Sequence, residues 1–350
     1  MTNSIKRKEI FSINIYRVFF TTVILLHHFR MYSDQLPYGG GYMATDFFFI
    51  MSGFLLYKTY EREEFHSIGK YIYKRYIRLL VPLILCNFIL FFTSKIFIEY
   101  RLPNNFAWFL KENLMIELFS CNSSERFNPP CWYLGMLLLA SLIVYFILKV
   151  TENVKNKSLI RNLVFLSTTL IYIVLVYING NGNIYIQHKV LFDAKTFLRA
   201  LSGVSVGAIF GNIKMIIPSK IRAFVLGLLT LCLGWFLLWK DGYSRIDIFV
   251  YLLLVFSIYL ICEERKDYTN FISKVFSLLA RASYVAFVIH YPLVRILAFY
   301  KIFGQMDWKI YSAIYLIIVW VCALVFDKLI FLFNIAFKRI KFNLFRKGEI

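Results

Sequence analysis

Charge is scarce in this sequence: 17% of its 350 residues are Asp, Glu, Lys or Arg, where an average soluble domain carries about 25%. Acidic residues are the scarcest, 20 against 40 basic ones. Hydrophobic residues reach 59%, with 37 Phe and 24 Tyr lifting the aromatics to 19%. A chain this oily cannot cover its own surface with polar groups, which excludes a soluble enzyme and a disordered tail. Cysteine is also sparse. The six cysteines form no CxxC and no metal-ligand spacing, which excludes a disulfide scaffold and gives no reason to expect a metal. Cys121 and Cys131 share the longest loop and are a candidate pair if that side is oxidising. No repeat of fixed period occurs.

What is present is a series of apolar runs near the length that crosses about 30 Å of hydrocarbon. They fall at roughly 11–30, 42–57, 79–98, 132–148, 162–178, 197–213, 221–239, 246–262, 277–299 and 310–333. The expected fold is therefore all-α: a polytopic membrane protein of about ten transmembrane helices, one integral-membrane domain over 10–333 and a basic tail over 334–350. The first run is expected to stay as a helix, because it is long for a signal peptide and carries Arg17, His27 and His28. With the N-terminus placed inside, the inner loops hold more than twice as many Lys and Arg as the outer ones. Both termini are then cytoplasmic in a cell membrane crossed many times. The net charge of +20 follows from this asymmetry and requires no nucleic acid, and anionic membrane lipid would be attracted to the same faces.

Ionisable residues inside spans are costly, so each is a functional candidate. Arg17 and His28 are eleven residues apart, which places them within about 20° of one helical face and about 16 Å apart along the axis. His27 points about 80° away from that face. Asp46 opens the second span after Gly39-Gly40-Gly41 and lies at nearly the depth of His28, where a carboxylate could orient an imidazole. A helix N-terminal charge held by the dipole is the plainer account of Asp46. Arg75 and Arg78, at i and i+3 on the inner side, can offer two guanidinium forks to phosphates, or simply mark the cytoplasmic flank. His290 interrupts an apolar helix two residues before Pro292 and is expected to line a shared polar cavity.

Taken in order, these residues carry a resemblance. Arg17 with His28, Asp-x-Phe-Phe-x-x-Ser-Gly-Phe at 46–54, Arg-x-x-Arg-Leu at 75–79 and Ser-Tyr-x-x-Phe-x-x-His-x-Pro at 283–292 together resemble the acyltransferase 3 family, in its stand-alone type. The resemblance implies an integral-membrane O-acyltransferase that moves an acyl group, usually acetyl from acetyl-CoA, onto a sugar hydroxyl. It implies essential roles for Arg17 and His28 and donor handling by Arg75 and Arg78. The acceptor would be a cell-surface or lipid-linked glycan. One departure is visible: Trp132-Tyr-Leu-Gly-Met has no carboxylate where many members carry Ser-Leu-Ser-Val-Glu-Glu. A transporter or flippase of a glycan is the competing class. It would call for broken helices at matching places in two halves, whereas Arg17, His28 and Asp46 crowd the first 50 residues.

Overall fold

The computed structural model describes residues 11–30, 38–62, 67–97, 102–116, 128–182, 194–213, 219–239, 244–261, 271–299 and 307–346. These residues form eleven α-helices and two short 3-10 turns, and no strand occurs among them. The helices are α1 (Phe11–Arg30), α2 (Ala44–Glu61), α3 (Ile68–Phe97), α4 (Leu102–Asn113), α5 (Trp132–Val150), α6 (Lys157–Asn179), α7 (Ala194–Asn212), α8 (Ser219–Trp239), α9 (Ile246–Ile261), α10 (Phe271–Phe299) and α11 (Trp308–Arg346). The turns, Gly39–Met43 and Pro129–Cys131, lead into α2 and α5. A helix lies at each of the ten expected positions. The short α4, within the loop that follows α3, is additional. Residues 334–346 continue α11 without a break, so the basic segment begins as helix. Cys121 lies outside the described residues; Cys131 is buried.

Among the described residues, five helices are long and apolar enough to cross a membrane: 68–92, 129–150, 157–179, 271–297 and 308–336. The chain is thus an all-α membrane protein. Polarity, rather than length, keeps α1, α2 and α7 out of that set, because they carry Arg17, His27, His28, Asp46 and Arg199. These helices are also the deeply buried ones. On α6, by contrast, Leu163, Leu166, Leu170 and Val174 are exposed, and on α11 Ile317, Val321 and Val325 are. Apolar side chains outside and polar ones inside is the arrangement that a hydrocarbon solvent selects.

The most extensive helix pair is α2 against α7. Their backbones touch. A methyl group at Gly207 would lie 1.8 Å from the carbonyl oxygen of Ile50, and one at Gly53 would lie 1.9 Å from that of Val204. Lipid tails are as apolar as side chains, so helices in a membrane gain cohesion from such close packing. Gly53 therefore serves packing. Gly207→Ala should force the pair apart and lower stability by about 1–3 kcal/mol. The melting temperature of detergent-solubilised protein measures this; an unchanged value would remove the close contact from the account.

Candidate active site

The last turn of α1 carries His27, His28 and Arg30, which suits the negative end of a helix dipole. The two histidines face different neighbours. His27 donates from Nδ1 to the backbone carbonyl of Tyr38 at 3.1 Å, and its ring lies against Tyr42. It belongs to the seam between α1 and the Gly39–Met43 turn. The His28 ring meets α10 instead, 5.1 Å from the His290 ring and 5.6 Å from Tyr291. The angular difference read from the sequence is the one that separates these neighbours.

His290 is fully buried, and its Nδ1 donates to the carbonyl of Phe287 one turn earlier in α10. The other ring nitrogen, Nε2, is buried without a hydrogen-bond partner, and so is Nδ1 of His28. Two imidazoles thus meet with one open nitrogen each. Buried polar atoms left open are uncommon and mark places where chemistry or a ligand supplies the partner.

From His28 the face of α1 continues through Ile24, Thr21 and Arg17 at helical spacing. The Thr21 hydroxyl is buried and also without a partner. Arg17 is half-buried. The Tyr133 hydroxyl of α5 meets Ser52 of α2 and lies in the field of the charges on Arg75, Asp46 and Arg17. Tyr133 packs on Phe49 and on Phe287, and Phe287 in turn lies beside His290. Side chains from α1, α2, α3, α5 and α10 therefore converge on one polar seam. Tyr133 is the residue at its centre that sequence reasoning missed. It follows Trp132 in the stretch set apart for lacking a carboxylate, where a phenol supplies the polarity.

Arg75 and Arg78 behave differently although they share a helical face. Arg75 turns inward, donating from a terminal nitrogen to the Tyr71 hydroxyl at 2.8 Å, while its Nε is buried without a partner. Tyr71 is itself stacked on Tyr145 at 4.5 Å. Arg78 is exposed. The two forks thus have different surroundings, Arg75 turned towards Tyr71 and Arg78 towards the surface.

Asp46 requires a correction. Both its oxygens are taken by Arg199 of α7, at 2.8 Å each, in a pair with almost no solvent exposure. Arg199 also donates to the Tyr42 carbonyl and the Thr45 hydroxyl. The expected pairing with His28 is not formed. Depth was matched but direction was not: Asp46 and Gly53, seven residues apart, lie within about 20° of one face, and that face packs on α7. The side of α2 that meets α1 presents Phe47, stacked on Phe20 at 4.3 Å. Beyond Arg199, buried Asp247 of α9 accepts hydrogen bonds from the Tyr42 hydroxyl and the Gly182 amide. Arg199 and Asp247, both passed over in the sequence, are ionisable residues within apolar helices, and that alone is the signal that could have found them.

The seam joins a proton-accepting imidazole at one end to a guanidinium at the other, with hydroxyls between. It can take a proton from a nucleophile and stabilise an anion in the same channel of side chains. No curated protein and no solved structure matches the chain. Residues 10–327, however, match the acyltransferase domain that defines one family of membrane enzymes, over nearly the whole length of the chain. The matched region contains every residue of the seam, and the chain belongs to the acyltransferase 3 family.

Proposed function

We propose that the protein is an O-acyltransferase that moves an acyl group, acetyl in the first instance, from a cytoplasmic acyl-CoA to a hydroxyl of a cell-surface or lipid-linked glycan. The observation that carries this reading is the polar seam, which runs from Arg75 past Arg17, Tyr133 and Thr21 to His28 and His290. Arg17 and His28 are about 16 Å apart along α1, so neither is the hydrogen-bond partner of the other. An extended pantetheine arm is the kind of object that spans such a separation. The basic loops favour the cytoplasm at the Arg75 end, where a multiply phosphorylated donor is available. His28 then lies at the opposite end, where the acceptor arrives.

The chemistry follows from these positions. The glycan hydroxyl attacks the thioester carbonyl carbon while His28 removes its proton. The new C–O bond forms, negative charge grows on the carbonyl oxygen, and a hydroxyl or backbone donor of the seam stabilises it. Collapse breaks the C–S bond, and the sulfur takes the proton from His28. Ester and free CoA are the products. Arg75 pairs with donor phosphate as an inward-facing fork, and Arg17 lies beside the arm. Arg75→Ala should raise the KM for the acyl-CoA about tenfold or more, and Arg78→Ala should raise it less, since Arg78 is exposed. Equal effects of the two substitutions would return both to the role of topology signals.

The function itself is tested by mass spectrometry of surface polysaccharide from cells with and without the protein. The expected result is an acetyl increment that disappears with the gene. A succinyl increment would change the donor. Identical glycans, together with no CoA release by purified protein, would overturn the proposal.

A further inference from the structure

We infer that His290 is the positioning residue for His28: its Nε2 accepts a hydrogen bond from the Nδ1–H of His28 and so directs the reactive lone pair of His28 Nε2 at the acceptor hydroxyl. The inference rests on reading His28 as the base of the proposed transfer. It assigns to a second imidazole the task for which a carboxylate was expected.

The argument starts from the backbone contact. A carbonyl oxygen can only accept, so the hydrogen bond between His290 Nδ1 and Phe287 requires the proton on Nδ1. A neutral His290 therefore bears a lone pair on Nε2. That atom is buried and has no partner. Its neighbour is the His28 ring, 5.1 Å away between centroids and tilted by 44°. The buried, unpartnered atom of that ring is Nδ1. The ring separation is about that of two imidazoles joined by a nitrogen-to-nitrogen hydrogen bond, so a hydrogen bond between the two open nitrogens is within reach of these side chains. One proton between them satisfies both atoms, and a proton on His28 Nδ1 leaves the lone pair on Nε2. The carboxylate of Asp46 does not compete for this place, because Arg199 holds both its oxygens.

During transfer the proton of the acceptor hydroxyl goes to His28 Nε2 as the C–O bond forms. The imidazolium so created keeps its Nδ1–H directed at His290 Nε2, which accepts without itself being protonated. When the C–S bond breaks, the Nε2 proton passes to sulfur. His290 ends as it began, and no further reactant is needed. His27, the other imidazole beside His28, does not offer this, because its Nδ1 is engaged with Tyr38.

Two substitutions separate this role from simple packing. Gln places a side-chain oxygen near the position of Nε2 and can accept, whereas Leu fills similar space and cannot. His290→Leu should lower kcat at least about 100-fold with the donor KM within about twofold of wild type, and His290→Gln should recover at least about tenfold of that loss. Both are measured on protein that elutes as a folded species. Equal rates for Gln and Leu, or a Leu variant within about threefold of wild type, overturn the inference. A second measurement needs no substitution to fold: isotope-edited NMR of histidine-labelled wild-type protein should show His290 protonated on Nδ1 and bare on Nε2. A His290 bearing its proton on Nε2 overturns the inference regardless of activity. Wild-type protein that releases no CoA from any acyl donor would instead sink the proposed function, and the NMR result would still decide the pairing.

Discussion

His28→Ala is expected to abolish acyl transfer, lowering kcat by about a hundred- to ten-thousandfold, while the protein still inserts and folds. His28 is only partly buried and lies in the last turn of α1, at the end of the helix rather than in its middle. The loss is therefore one of chemistry, read as turnover of acyl-CoA in membranes of equal protein content. His27→Ala should be milder in rate and more costly in stability. Its ring supports the Gly39–Met43 turn through Tyr38, and a methyl group at Gly41 would already come within 2.5 Å of the His27 β-carbon. Should His27 prove to be the essential residue and His28 dispensable, the assignment built on the His28–His290 contact would fail.

What the sequence could and could not reveal divides along a physical line. Positions along a helix axis follow from counting residues, since each adds about 1.5 Å. The ten expected spans each coincide with a helix, and His28 meets His290 where α1 packs on α10. Rotation of one helix against another is a different quantity. It depends on which faces pack, and a single sequence leaves it implicit. A short loop puts Asp46 level with His28, yet the glycine face of α2 turns it to α7 instead. A signal for that rotation exists. Arg199, Gly203, Gly207 and Gly211 recur at steps of four, a ridge of small residues headed by one cation. Across from it, Asp46 and Gly53 form a shorter stripe headed by one anion. Matching the two ridges pairs the charges without reference to coordinates. Tyr133 had no comparable signal, because a tyrosine among 24 others attracts no notice until its neighbours are known.

The second large effect concerns that ion pair. Removing one partner leaves the other as an uncompensated charge in a buried site, which in proteins is destabilising by about 3–5 kcal/mol. Asp46→Ala and Arg199→Ala should each therefore give little folded protein, because the survivor is surrounded by α2, α7 and the Tyr42 turn with almost no water. Loss of activity in these single variants would say nothing about catalysis. The informative variant is Asp46→Leu combined with Arg199→Met, which deletes both charges and keeps most of the volume. Buried ion pairs replaced in this way are often neutral or more stable, so the double variant should regain thermal stability in detergent relative to either single one. It should also regain transfer activity to within about tenfold of wild type, because His28 is positioned from α10 and not by Asp46. A double variant that folds, binds acyl-CoA and yet turns over as slowly as His28→Ala would restore Asp46 to the chemistry. The pair would then be a means of holding a reactive carboxylate, and the contact with Arg199 would have to open during the reaction.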